Sequence, residues 1–468
     1  MSQVITLGRR SVRPVGVVLA AYQARNYGMA PYGAAALATY LRHYCGERGY
    51  DAPCTVVAFR AGEPAPAAAD TVLAHHPEVV GLSCYVWNYH QTLELAREIR
   101  RRAPGVLVVV GGPHVSRDDR LLAELLDAGV VDHCVLGEGE AAMAALVEDR
   151  VLGGRSAGRP FITGGTTDLD TLGTPYAGEP VVRPDLERHH TAIIEGARGC
   201  PFSCTFCDQG WRSARLRDLE LVKRDLLLVY RLGARRVIFL DPTFNYHHAR
   251  LAELMRYMRE QTPGMTFNAE MKVDLLKPAE IEELADLDVV IEAGLQTSNP
   301  DTLRRIRRPE KVDRLWNNVR LLRERGAVVL INTIFGLPGE NLDDWLRTVD
   351  DCYQRTDAVI TATCLKVLPN TEIWNQRFEY GYEWLEADLF RAVRSNHMTP
   401  AEFTVAERLA RLLAFLQTGE QPIPARLRAS IDQVCGGSLS RFLVGFEAGE
   451  LRLHPDGTIV SAVQAVGG

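Results

Sequence analysis

The sequence predicts an α/β protein built from two successive series of strand–helix units and a small helical C-terminal part. In the first series, short apolar strands such as 14–21, 79–84 and 106–112 alternate with helix-patterned segments such as 34–44 and 89–101. Apolar runs of this length, each followed by an amphipathic helix, are typical of parallel strands covered by helices on both faces. The first part of the chain is therefore expected to form a doubly wound parallel sheet.

The second series begins at residue 191. After an apolar strand at its start, further apolar strands at 237–241, 265–270, 289–296, 328–340 and 358–365 are again separated by helix-patterned segments, which gives about six strands. A closed barrel of such units needs eight strands, so a partial (β/α)6 barrel is expected here. The predicted organisation is a first domain, a turn-rich linker, a second core and a small, mostly helical C-terminal cap, at 1–150, 151–190, 191–400 and 401–468.

Composition narrows the class of protein. The 468 residues carry a net charge of −6 with basic and acidic residues interspersed, which favours neither nucleic acid nor anionic lipid as a partner. The chain has no apolar run long enough to span a membrane and no N-terminal apolar signal segment. We expect a soluble, cytoplasmic protein whose ten cysteines are thiols or metal ligands rather than disulfides.

Three of those cysteines form the most informative motif of the chain, Cys200-x3-Cys204-x2-Cys207, in a loop that follows an apolar strand. Iron–sulfur clusters are commonly held by four cysteines, so three would leave one iron open for another ligand. Two alternatives remain at this point. The loop could hold a structural zinc with Asp208 or His190 as the fourth ligand, or the three cysteines could be ordinary buried thiols.

With Phe206 just before its last cysteine, this loop resembles the radical S-adenosylmethionine (SAM) superfamily. That resemblance implies a 4Fe–4S cluster whose open iron binds the amino and carboxylate groups of SAM. It also implies SAM contacts at later strand ends, where a helix cap or a solvated helix face is the alternative for each residue. The strand-end candidates are Asp241 for the amino group, Glu270, Glu292 and Gln296 for ribose and carboxylate, Arg308 for the carboxylate and the Gly336 loop for adenine. Phe206 of the cysteine loop is a further predicted SAM contact.

The turns of the first series resemble the cobalamin-binding domain that precedes many radical SAM cores, a doubly wound fold of the flavodoxin or Rossmann type. The resemblance implies cobalamin contacts at Ser83, Tyr85, Trp87, Gly111, Gly112, His114, Gly137 and Glu138. Gly111 and Gly112 would let the backbone approach the nucleotide tail closely. The alternative is a generic sheet whose glycine turns only connect its elements.

One departure from the cobalamin family concerns the lower face of the cofactor. Family members that supply a histidine to the cobalt carry Asp-x-His-x-x-Gly after the first strand, whereas residues 22–33 of this chain contain no histidine. We therefore expect no histidine ligand to the cobalt from this loop, and the candidates for the position beneath the cobalt are Arg25, Asn26, Tyr27 and Met29. His114 is the nearest alternative ligand.

Together these resemblances imply a cobalamin-dependent radical SAM enzyme. Such an enzyme cleaves SAM to a 5′-deoxyadenosyl radical and, as the leading interpretation, methylates an unactivated carbon of a small molecule. Cyclisation, ring rearrangement or other non-methylating radical chemistry is the first alternative. Methylthio transfer and cobalamin sensing rank below it. The expected electron donor is a flavodoxin- or ferredoxin-like protein.

Overall fold

The structure, a computed structural model, describes residues 14–24, 30–154, 160–178, 180–209 and 213–461. The chain divides into two compact units, Met1–His190 and Thr191–Gly468. Asn26 and Tyr27, with Arg25 and Met29, lie outside the described residues. Across the described ranges, no helix combines the length and the apolar character needed to cross a bilayer.

The first unit contains a six-stranded sheet in the order β2-β1-β3-β4-β5-β6, and every neighbouring pair is parallel. Chain order reverses at β1, because β2 lies on one side of it and β3 to β6 extend on the other. This reversal is the switch point at which doubly wound sheets bind ligands. The strands are β1 Val17–Tyr22, β2 Cys54–Phe59, β3 Val79–Ser83, β4 Leu107–Gly111, β5 His133–Leu136 and β6 Phe161–Thr163.

Helices cover both faces of this sheet, as the apolar strands predict. One buried cluster joins Val18 and Ala20 of β1 to one set of helices, and a second joins Val17 and Leu19 of the same strand to another set. Successive side chains of a strand point to opposite faces, so β1 supplies both cores. The helices are α1 Tyr32–Arg48, α2 Ala65–Leu73, α3 Tyr89–Arg102, α4 Arg120–Asp127, α5 Glu140–Val151 and α6 Val182–His189.

The segment 151–190, expected as a linker, carries regular structure. It supplies β6, which pairs with β5 from Cys134 to Leu136, and it also supplies α6 and two short 3₁₀ turns at Leu169–Thr171 and Pro175–Ala177. The glycine-rich sequence of this segment does not predict β6, because an edge strand of three residues is too short to show an alternating pattern.

The second unit contains six parallel strands in the order β14-β13-β12-β11-β10-β7. Strands that are neighbours in this sheet are also consecutive among the six strands along the chain. This is the arrangement of a partial barrel. The strands are β7 Thr191–Ile194, β10 Arg236–Phe239, β11 Thr266–Met271, β12 Val289–Gln296, β13 Val328–Phe335 and β14 Val359–Cys364, and the short pair β8 Ala197–Arg198 and β9 Arg215–Leu216 lies between β7 and β10 in sequence.

Helices connect the barrel strands, and several begin at the caps that the sequence favours. Asn341 and Asp344 form a capping box at the start of α12 (Leu342–Arg355), and Thr399 and Glu402 form another at the start of α14 (Pro400–Leu416). The connecting helices are α7 Leu219–Arg231, α8 His248–Gln261, α9 Pro278–Ala285, α10 Pro300–Arg305, α11 Val312–Glu324 and α12 Leu342–Arg355, with a 3₁₀ turn at Val273–Leu275.

The C-terminal part packs along the last barrel strand. The Gln417 amide donates to the Ile360 carbonyl and accepts from the Ile360 N–H, both at 2.8 Å, and so satisfies backbone groups of the edge strand β14. Its elements are α13 Glu372–Asn375, β15 Glu383–Leu385, a 3₁₀ turn at Glu386–Asp388, β16 Arg391–Arg394, α14 Pro400–Leu416, α15 Ala425–Cys435, α16 Leu439–Glu447, β17 Leu451–Leu453 and β18 Ile459–Ser461.

A buried ion pair supports the region behind the cysteine loop. Arg217 Nη1 lies 2.6 Å from Asp225 Oδ2, and both side chains are almost fully buried. Breaking a buried pair by removing one partner costs about 3–5 kcal/mol. We therefore expect Asp225→Ala to lower the free energy of unfolding by about that much, measured by chemical denaturation of the full chain.

The control is Glu324→Ala, which breaks the half-exposed helical pair with Arg320. Exposed pairs of this kind contribute about 0.3–0.5 kcal/mol. Equal effects of the two substitutions would contradict a supporting role for the buried pair.

Candidate functional site

The three motif cysteines lie on the loop that leaves the carboxyl end of β7, and each sulfur has a hydrogen-bond partner. Cys200 Sγ lies 3.4 Å from Thr243 Oγ1, Cys204 Sγ accepts from Arg308 Nη1 at 3.7 Å, and Cys207 Sγ accepts from the Gln209 N–H at 3.4 Å. These partners come from different parts of the unit, so the three thiols are held separately.

Backbone bonds fix the centre of this loop. The Thr205 N–H donates to the Ile306 carbonyl at 3.0 Å, and the Thr205 carbonyl accepts from the Ile373 N–H at 2.9 Å. The loop is thereby tied to the end of α10 and to α13. Phe206 is partly buried beside this anchor.

The donor set fits an iron–sulfur cluster with one thiolate on each of three irons. In the described ranges, no three His, Cys, Asp or Glu side chains surround a single metal position. Burial raises the pKa of the Cys207 thiol to about 12. Since metals bind the thiolate, loading this site releases protons.

Asp241 follows β10 and joins two strand ends. Its Oδ1 accepts from the Gly196 N–H at 2.7 Å and from the Ala197 N–H at 3.1 Å, so it holds the chain between β7 and the cysteine loop. Burial raises the pKa of this carboxyl to about 7, although the two N–H groups and Arg250 act in the opposite direction. Its contact with the SAM amino group stays a prediction.

Glu270 and Glu292 lie side by side on the partly exposed face of the barrel sheet, where β11 and β12 pair in register. The Glu270 side chain keeps access to solvent, but burial of its carboxyl group and the nearby Glu292 charge raise its pKa to about 7, while Arg308 lowers it. The sheet thus brings together two of the carboxylates that the sequence singles out.

Gln296 ends β12 at a bulge and has φ +71°, a left-handed conformation that is strained for a residue with a side chain. Strained residues of this kind cluster at ligand sites. Its predicted SAM contact rests on this position at the strand end and is otherwise untested.

The Gly336 loop follows β13. Gly336 has φ +83°, and a Cβ there would lie 2.5 Å from the Phe403 ring. Its carbonyl accepts from the Tyr382 hydroxyl at 2.8 Å. Packing alone therefore requires glycine here, and its predicted adenine contact stays a prediction.

Sequence reasoning missed the charges behind Arg308. The Arg308 guanidinium lies 3.2 Å from Glu310 Oε2 and donates to the Gly294 carbonyl. Its predicted contact with the SAM carboxylate stays a prediction. Lys272 Nζ also bonds Glu310 Oε2, at 2.7 Å. The only available signal was the presence of charged residues in segments that otherwise have buried positions.

In the first unit, the predicted cobalamin contacts lie at the carboxyl ends of β3, β4 and β5. Tyr85 and Trp87 stack with ring centroids 4.4 Å apart, and Trp87 is 45% exposed. Ser83 and Gly111 end adjacent strands, and their register pairs them directly. The turn at Gly137 has φ +83°, and Glu138 Oε2 accepts from the Thr167 N–H at 2.9 Å.

Asn88, which the predicted site leaves out, organises these turns. Its buried amide donates to the carbonyls of Tyr22 and Ser83, at 3.1 and 3.0 Å, and accepts from the Tyr85 N–H at 2.7 Å. It therefore ties the end of β1 to the end of β3 at the switch point. An asparagine at the end of a strand–helix turn was the signal available in the sequence.

His114 faces the interior of the first unit. It is 5% exposed, packs edge-on against Tyr89 with centroids 4.8 Å apart, and has a pKa that burial lowers to about 4. The ring is therefore neutral at pH 7.

Comparison with known proteins decides the family. The Radical SAM superfamily profile matches residues 194–352, and the B12 binding domain profile matches residues 21–147. The chain belongs to the cobalamin-binding radical SAM proteins. The cofactors of this family are the 4Fe–4S cluster, SAM and cobalamin.

Two curated relatives of this radical SAM protein are methyltransferases. The 2-(S-pantetheinyl)-carbapenam-3-carboxylate methyltransferase of Streptantibioticus cattleyicolor is 30% identical over 57% of this chain and 43% of its own length. The cobalamin-dependent radical SAM methyltransferase TokK of Streptomyces tokunonensis is 27% identical over 56% and 43%. The chain spans about half the length of the curated relatives it matches.

Two solved structures share the fold of this radical SAM protein. OxsB, a cobalamin-dependent S-adenosylmethionine radical enzyme, has a TM-score of 0.68 over 94% of this chain and 74% of its own, at 13% identity. TsrM from Kitasatospora setae has a TM-score of 0.63 over 77% of each chain, at 18% identity. Both predicted folds, the doubly wound sheet and the partial barrel, are confirmed.

Gly112 has φ +120°, and a Cβ there would lie 2.4 Å from the Cys84 carbonyl oxygen. The backbone conformation and packing of the protein therefore require glycine at this position, independently of any contact with cobalamin. Strained backbone of this kind costs about 1–3 kcal/mol, so we expect Gly112→Ala to lower the thermal unfolding midpoint. The matched control is Gly105→Ala, where a Cβ meets open space. Equal midpoints for both variants would refute this requirement.

Asp241 also predicts a pH dependence. Because its folded pKa, about 7, lies above the ordinary 3.8, the neutral form is favoured in the fold and stability is lost as pH rises between those values. Asp241→Asn keeps an acceptor oxygen without the charge. Its free energy of unfolding should therefore fall less than that of the wild type between pH 5 and pH 8.

The comparison uses the cofactor-free chain, with the exposed Asp286→Asn as the control. A wild-type pH profile in Asp241→Asn would show that Asp241 is already charged in the fold.

Proposed function

We propose that this protein is a cobalamin-dependent radical SAM methyltransferase that methylates carbon on a small molecule. The observation that carries the proposal is a three-cysteine loop, with each sulfur separately held, in one chain with a B12 binding domain. When bound, the cluster and SAM supply a carbon-centred radical oxidant, and cobalamin supplies a methyl carrier.

The residues of this chain position those groups. Cys200, Cys204 and Cys207 hold the cluster, and SAM contacts come from the strand ends around Asp241, Glu270 and Gln296. In the first unit, the turns after β3, β4 and β5 bind cobalamin. The buried position of His114 favours a packing role over cobalt ligation.

The methyltransferase names of the relatives support methyl transfer, and one of them is named for a carbapenam carboxylate substrate. Carbapenam carboxylates are therefore the first acceptors to assay. A flavodoxin- or ferredoxin-like electron donor and a cytoplasmic location stay predictions.

The test measures the two products of SAM in the anaerobically reconstituted, reduced protein. Loss of the methyl group of SAM yields S-adenosylhomocysteine, whereas reductive cleavage yields 5′-deoxyadenosine. We expect both products with cobalamin-loaded protein and only 5′-deoxyadenosine without cobalamin. An accepted substrate should gain the mass of one methylene.

Cys204→Ala should abolish 5′-deoxyadenosine formation, because a cluster ligand is lost. Cys435→Ala, at a buried cysteine of α15, should keep it. If cobalamin-loaded protein forms 5′-deoxyadenosine but no S-adenosylhomocysteine, the chemistry is non-methylating and the proposal fails.

A further inference from the structure

A buried group of charges lies behind the cysteine loop, and we call Lys272, Asp274, Arg308 and Glu310 the Arg308 network. Lys272 Nζ lies 2.7 Å from Glu310 Oε2 and 3.2 Å from Asp274 Oδ1. Arg308 Nε lies 3.2 Å from the same Glu310 oxygen. The side chains of Asp274 and Glu310 are almost completely buried, and Arg308 is 11% exposed.

Contacts at all three nitrogens fix the orientation of the Arg308 guanidinium. Glu310 Oε2 forms an ion pair with Nε at 3.2 Å, the Gly294 carbonyl accepts from Nη2, and Nη1 donates to Cys204 Sγ at 3.7 Å. A Cβ on Gly294 would lie 3.1 Å from Nη2, so glycine at this position makes room for the guanidinium. The planar, always charged guanidinium suits a fixed arrangement of several partners.

Arg308 differs from the hydrogen-bond partners of the other two sulfurs. Cys200 faces the hydroxyl of Thr243, and Cys207 accepts from a backbone N–H. Both of those groups are neutral. Hydrogen bonds with an ionised partner are roughly twice as strong as neutral ones, so Cys204 receives the strongest electrostatic contact of the three.

We propose that Arg308 raises the reduction potential of the cluster through its hydrogen bond to Cys204 Sγ, and that Glu310 is the positioning residue that holds Arg308 there. Reduction adds one electron to the bound cluster, supplied in the assay by sodium dithionite, and a nearby cation stabilises the added negative charge. Hydrogen bonds to the sulfurs are an established determinant of cluster potential. The inference requires only the cluster and is independent of methyl transfer.

The test is a potentiometric measurement on the full chain, reconstituted to four irons and followed by electron paramagnetic resonance without SAM. We expect Arg308→Gln to lower the reduced-to-oxidised ratio at fixed potential about tenfold, which is 59 mV for one electron. Arg308→Lys keeps a cationic donor and should recover part of the shift. Arg304→Gln is the control, because Arg304 is exposed and pairs with Asp301.

Glu310→Gln separates positioning from simple charge. Removing a nearby negative charge would by itself raise the potential, whereas releasing Arg308 from Cys204 lowers it. We expect Glu310→Gln to lower the potential in the wild-type background and not to lower it further in Arg308→Gln. An increase in both backgrounds would overturn the positioning role.

A potential in Arg308→Gln equal to that of Arg304→Gln would overturn the proposal as a whole. If Arg308→Gln retains fewer than four irons, the reduction potentials of Arg308→Lys and Glu310→Gln test the proposal in its place. A lower potential in Glu310→Gln, with Arg308→Lys at or below the wild-type value, supports the proposal, and unchanged potentials in both overturn it. The measurement omits SAM and substrate, so failure of methyl transfer leaves its result intact.

Discussion

The second unit depends on one constraint, the attachment of the cysteine loop to the strand ends of the barrel. Asp241 accepts from two successive N–H groups just before the loop, and Thr205 is bonded through its backbone to Ile306 and Ile373. Three thiols spaced over eight residues bind one cluster only if the chain between them cannot rearrange. These bonds supply that rigidity, and they do so from elements far apart in sequence.

The same arrangement carries a cost in stability. Glu270 and Glu292 are neighbours in register, Asp241 is buried, and Gln296 is left-handed. Like charges in proximity and backbone strain each destabilise the folded chain. The cost falls at the carboxyl edge of the sheet, where ligands bind in barrel folds, and the apolar cores elsewhere in the unit offset it.

The sequence predicts most of the strands, both fold classes and the cysteine site, because these features are local. Apolar runs reveal the sheet strands except β2 and β6, and a spacing of three and two residues reveals the metal loop. It does not predict that Arg308 lies against Cys204 or that Glu310 lies against Lys272, since these pairs are 104 and 38 residues apart. The roles of Asn88 and of β6 also depend on which strand ends become neighbours.

In both units, one polar side chain fixes the loops at the carboxyl ends of the strands. Loops at the carboxyl ends of parallel strands bind ligands, but they lack the backbone hydrogen bonds that fix a strand. In the first unit the Asn88 amide bonds the ends of β1 and β3, and in the second the Asp241 carboxyl bonds the chain after β7 from the end of β10. Asparagine can both donate and accept, whereas a charged carboxylate only accepts. Asn88 therefore satisfies two carbonyls and one N–H, while a single oxygen of Asp241 satisfies two N–H groups. Aspartate in place of Asn88 would leave the two carbonyls without their donor.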